Sequence, residues 1–141
     1  MATRGLPAWP LIGQETDTLP EPERMVLDAA RAWAGNGPAG PMGEAALVLA
    51  AAGMEGAALP FDAALRALPG LRLQWPLCPV VSREEATLLM GLAVVQTGRR
   101  AVALALLHRL APPLSAYRAV AELSVMGCVF RRGGICLTAP L

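Results

Sequence analysis

Proline and glycine punctuate this chain at intervals that suit short helices and leave little room for anything longer. Pro22 stands where a first helical residue tolerates its missing N–H, and Gly35 closes the run that follows. "GNGPAGPMG" then has the composition of a loop. Pro69 ends a later run, Gly98 separates two more, and Pro112-Pro113 halt another. Between these breaks the apolar residues recur with a helical period.

In the first run Val26, Ala29, Ala30 and Trp33 share one face, with Arg24, Asp28 and Arg31 opposite. Residues 42–53, "MGEAALVLAAAG", are apolar almost all round, which predicts a central helix. "PFDAALRAL" at 60–68 predicts a shorter one. Leu71, Leu73 and Trp75 alternate as a short extended piece would, at the boundary between two halves. Ser82 and Glu85 then form a capping box that opens a helix to about Thr97, burying Leu88, Leu89, Leu92 and Val95. A helix from Arg99 presents Ala103, Leu106, Leu107 and Leu110. One over 114–126 packs through Ala116, Ala119, Val120 and Leu123.

The last segment, "GCVFRRGGICLT", reads as a β-hairpin, two apolar arms around Arg131-Arg132-Gly133-Gly134. The expected fold is therefore mainly α, about six helices in a bundle-like arrangement with a C-terminal β-hairpin. Residues 1–20 form an arm pinned by Trp9 and Leu11, 21–74 an N-terminal helical part, and 75–141 a C-terminal three-helix part with the hairpin. The two parts are separate or one continuous domain.

Composition narrows the class. With 55% hydrophobic and 16% charged residues the chain is no disordered polyelectrolyte. Its longest uncharged run, "ATLLMGLAVVQTG", stops at Arg99-Arg100, well short of the ~20 apolar residues that span a bilayer. No membrane partner is expected. A mean hydropathy of +0.46 is high for a monomer, so surplus apolar surface is expected to meet a second copy or a protein partner. All twelve basic residues are arginine which, with abundant Ala, Gly and Pro, suggests a GC-rich bacterial genome. "MATRGLPAWPLIGQ" has no secretory apolar core, and cytoplasmic residence is the expectation.

Chemistry-bearing motifs are sparse. Gly35, Gly37 and Gly40 match a dinucleotide-binding spacing, but a helix precedes them instead of the required strand, so a helix–helix connection is expected. His108 falls opposite Leu106, Leu107 and Leu110, on the surface. Glu21, Glu23, Asp28, Glu84 and Glu85 occupy helix starts and polar faces, where negative charge is stabilising. Cys78, Cys128 and Cys136 match no zinc spacing and read as small buried hydrophobes. In a hairpin with a three-residue loop Cys128 and Cys136 face each other; a two-residue turn puts them out of register. No catalytic residue, cofactor or metal ligand is nominated.

Three helices followed by a ribbon is the order of a winged helix-turn-helix domain. Over residues 82–138 the chain, ending in "AELSVMGCVFRRGGICLT", resembles that superfamily. The resemblance implies a recognition helix at 114–126 and a wing tip at Arg131-Arg132. Charge points the same way: residues 1–81 hold five arginines against eight acids, and residues 82–141 hold seven against three. Arg99, Arg100, Arg118, Arg131 and Arg132 are the candidate nucleic-acid contacts. The leading expectation is a non-enzymatic interaction or regulatory domain that self-associates or binds a protein, and the alternative is a winged-helix-like DNA-binding regulator.

Overall fold

A computed structural model describes residues 11–138 and contains six α-helices. These are α1 (Glu21–Ala34), α2 (Gly40–Ala51), α3 (Ala58–Arg66), α4 (Arg83–Gln96), α5 (Arg100–Leu107) and α6 (Pro113–Arg132). Short 3₁₀ turns precede α1 and α3. The neighbours close on themselves: α1 packs on α2, α2 on α3, α3 on α6, α6 on α4 and α4 on α1, while α5 covers α4 and α6. One core of buried apolar side chains runs from Leu19 to Leu137. Trp9 lies outside the described residues, and Leu11 packs at the core's edge.

The centre belongs to α4, whose residues from Glu85 to Gln96 are all buried. Two glycines allow that crowding. A Cβ at Gly91 would press on Leu107 of α5, and one at Gly127 would meet Gln96 at 3.1 Å, so the bare backbone lets α6 approach. The expectation that residues 42–53 form the central helix is corrected. In α2 only Ala45 and Leu49 are buried, and Leu47 is well exposed. Both helices are apolar nearly all round, but α4 has α1, α5 and α6 about it, whereas α2 packs chiefly on α1, α3 and the short 3₁₀ turn before α3.

The C-terminal β-hairpin is also corrected. No strand is present among the described residues, and α6 runs through residues 127–132. Gly133-Gly134 ends a helix here and does not turn a ribbon. Gly134 adopts φ +80°, its N–H donates to the Arg131 carbonyl at 3.0 Å, and the Ile135 N–H donates to the Phe130 carbonyl at 2.8 Å. That pair of bonds is a Schellman stop. Packing decides the matter, since Met126, Gly127 and Phe130 are buried on the face of α6 that meets its neighbours. A fully buried Phe contributes about 1.5–3 kcal/mol, enough to outweigh the modest helix propensity of Val129 and Phe130.

After the stop, residues 135–138 pass the C-terminal end of α4 and reach α1. The buried Gln96 amide holds them, donating to the Gly127 carbonyl (3.3 Å) and the Ile135 carbonyl (3.1 Å) and accepting from the Leu137 N–H (2.7 Å). The Thr138 N–H donates to Glu23 at 2.7 Å. Among the described residues no helix is long and apolar enough to cross a membrane.

Candidate interaction site

Residues 74–82 form an irregular segment between α3 and α4 that is tied to the core by side-chain hydrogen bonds. Ser82 and Glu85 make the expected capping box: the Glu85 N–H donates to the Ser82 hydroxyl at 3.2 Å, and Glu85 Oε1 accepts from the Ser82 N–H at 3.0 Å. Glu85 also does something the capping box does not foretell. Its two oxygens accept from Arg31 Nε and Nη2, both at 2.9 Å, in a bidentate pair whose side chains are fully buried. Expected on a polar face, Arg31 instead lies in the interior, because α1 buries a wide arc that takes in Glu23, Leu27 and Arg31 beyond the expected stripe.

Each nitrogen of Arg31 and each oxygen of Glu85 has a partner. Arg31 donates further to the carbonyls of Cys78 (2.9 Å) and Val80 (2.9 Å), and Glu85 Oε2 accepts from the Gln74 N–H at 2.9 Å. Thr16 adds its hydroxyl to the Cys78 carbonyl at 3.0 Å, and its N–H reaches the Pro79 carbonyl at 2.8 Å. Glu15 and Val80 form an isolated antiparallel bridge. Burial alone would raise the Glu85 pKa. The bonds from Arg31, Ser82 and Gln74 outweigh it and hold the carboxyl below the ordinary range. Burial likewise opposes the Arg31 charge, but bonding to Glu85 prevails and its pKa is raised.

This network fixes a backbone that buries Cys78 and Val81 and leaves Trp75, Leu77 and Val80 outside. Trp75 to Cys78 is a tight turn closed by the Cys78 N–H on the Trp75 carbonyl at 3.0 Å, with Pro76 in the position that favours its fixed φ. Leu77 at the tip is 81% exposed, Trp75 58% and Val80 43%. Three large apolar residues thus stand on a loop pinned from within. Apolar side chains held on a rigid backbone lose little further freedom when another surface covers them.

The five nominated arginines do not converge. Arg118 lines a cleft on the α3 side of α6, beside Arg66 and Glu122. Arg100 lines one between α5 and α6 with Leu104 and Tyr117. Arg131 lines a third with Thr97 and Ser124, and its guanidinium donates to the Gln96 carbonyl. Arg132 is exposed in the last turn of α6, Arg99 precedes α5, and the implied wing tip is helix. Cysteine readings split: Cys78 is buried as expected, whereas Cys128 and Cys136 are exposed, correcting their assignment to the core. His108 is exposed at the end of α5. Gly35 to Gly40 connect α1 to α2. Among the described residues no cluster of His, Cys, Asp and Glu is placed to hold a metal.

No family model, curated protein or solved structure matches this chain. Sequence reasoning missed Arg31 and the displayed loop. A partial signal was present, since "QWPLCP" sets a Trp and a Leu about a proline in a segment with no helical period to bury them.

Proposed function

We propose that this chain is a non-enzymatic, cytoplasmic interaction domain that uses the 74–80 loop to bind another protein surface, a second copy of itself being the first candidate. The observation that supports it is the exposure of Trp75, Leu77 and Val80 on a backbone held by the buried Arg31–Glu85 pair. Sedimentation velocity over a wide concentration range tests it, comparing wild type with Leu77→Asp. The wild type is expected to gain mass with concentration. The variant, unaltered in circular dichroism, is expected to stay monomeric. Identical monomeric behaviour of the two would remove self-association from the reading.

A DNA-binding regulator is the second reading, favoured by the seven arginines against three acids in residues 82–141. It predicts binding to a labelled duplex in fluorescence anisotropy, with a slope of log affinity against log salt of about −3 to −6 if several arginines neutralise phosphates. No binding at low salt removes it.

A further inference from the structure

On a different surface, α6 with the end of α4 and with α5 leaves a groove to which nothing above assigns a role. Two clefts follow one face of α6. The first, of about 240 Å³, is floored by Leu104 and Val120 and walled by Arg100 and Tyr117. The second, of about 320 Å³, takes in Thr97, Ser124, Cys128 and Arg131. Tyr117, Val120, Ser124, Cys128 and Arg131 are spaced i, i+3, i+7, i+11 and i+14, so they share one side of the helix over about 21 Å. That length accommodates roughly four turns of a second helix.

We propose that this groove docks an acidic amphipathic helix of a partner protein. The floor of the first cleft is aliphatic, and Leu114 and Tyr117, both about two-thirds exposed, extend it at the start of α6, while the second cleft adds the polar Gln96, Thr97 and Ser124. An arginine stands towards each end, and no acidic residue lines either cleft. Neither Arg100 nor Arg131 forms an ion pair among the described residues; Arg131 meets only the neutral Gln96 carbonyl. The groove therefore presents positive charge towards each end and apolar surface at its α5 end, where Leu104, Leu114 and Tyr117 stand. An amphipathic helix with leucines at i, i+3, i+4 and i+7 and carboxylates on its flanks matches both features. A nucleic-acid duplex does not, because its phosphate surface offers nothing to the Leu104–Val120 floor.

The test is selection of a displayed library of random peptides, each about 16 residues long and so about 24 Å as a helix, against the folded chain. Enriched peptides are expected to be acidic, to space apolar residues at helical intervals and to weaken as salt rises. Reversing charge with Arg100→Glu/Arg131→Glu is expected to weaken their binding about tenfold or more. Because Arg131 also holds the Gln96 carbonyl, Arg100→Glu/Tyr117→Ala serves as a second variant that leaves that contact in place, with circular dichroism checking the fold of both. Failure to enrich any peptide, enrichment of neutral or basic ones, binding to both variants as tight as to the wild type, or displacement of the peptides by duplex DNA would each overturn the proposal. The variants leave Trp75 and Leu77 untouched, so loss of self-association through the loop is a separate result.

Discussion

Arg31→Leu is the perturbation whose cost the structure defines best. The substitution keeps an apolar stem but strands Glu85, a fully buried carboxylate left with two backbone N–H donors, from Ser82 and Gln74. The Val80 carbonyl keeps only the weak thiol of Cys78 at 3.5 Å, while the Cys78 carbonyl retains Thr16. Removing one partner of a buried pair costs about 3–5 kcal/mol. At about 2.1 cal/mol/K per residue, unfolding 141 residues carries an entropy near 0.3 kcal/mol/K, so Tm should fall by roughly 10–17 °C. Thermal and urea unfolding followed by circular dichroism measure this. A loss below about 1 kcal/mol would show that the pair is solvated and the reasoning wrong.

The same pair carries a pH signature. Glu85 is held below its unfolded pKa of about 4.3, so the unfolded chain takes up its proton first as pH falls. Its contribution is fully present above that value and is lost as pH drops through the lower, folded one; between the two, stability rises with pH. Arg31 stays charged throughout. Glu85→Gln should therefore flatten the acid limb of the stability profile relative to wild type, and parallel limbs would contradict the assignment.

Gly70→Ala should destabilise by about 1–3 kcal/mol, because its Cβ would lie 2.7 Å from the Leu110 carbonyl oxygen; Gly134→Ala should cost about 1 kcal/mol through its positive φ alone. Denaturant midpoints rank the two. With a colorimetric thiol reagent, Cys128 and Cys136 should react in the folded protein and Cys78 only on unfolding; protection of Cys128 would argue against the helical end of α6. Gln96→Ala strips three hydrogen bonds from residues 127–137 and should cost about 1–3 kcal/mol, with faster hydrogen exchange at Leu137 as the local readout.

Much of the helical layout is legible in the residues themselves. Ser82 and Glu85 announce α4, Pro22 opens α1, and Pro112-Pro113 separate α5 from α6. What periodicity cannot supply is which neighbours each helix acquires. Arg31 and Glu85 lie 54 residues apart, and nothing local distinguishes Arg31 from the solvated Arg24 two turns earlier on the same side of α1. The tail failed for a different reason: Arg131-Arg132-Gly133-Gly134 is as good a hairpin turn as a helix stop. Only the burial of Phe130 and the closeness of Gly127 to α4 select the stop. That choice also scatters the nominated site, since consecutive residues on a helix diverge by about 100° and adjacent arginines need not share a target.

The buried pair is better explained by the geometry it enforces than by the stability it adds. Apolar residues of similar volume often replace such a pair at no cost, or with a gain of about 1–4 kcal/mol. Leucine and methionine, however, have nothing to offer the Gln74 N–H or the carbonyls of Cys78 and Val80, which the pair holds at 2.9 Å. Arg31→Met/Glu85→Leu should accordingly keep a Tm close to wild type, unlike either single variant. Residues 74–80 should meanwhile exchange amide hydrogens faster, and association through Leu77 should weaken although Leu77 is unchanged. Retention of both loop protection and association in the double variant would mean that Thr16 and the turn suffice to hold the loop. The charges would then have no part in presenting it.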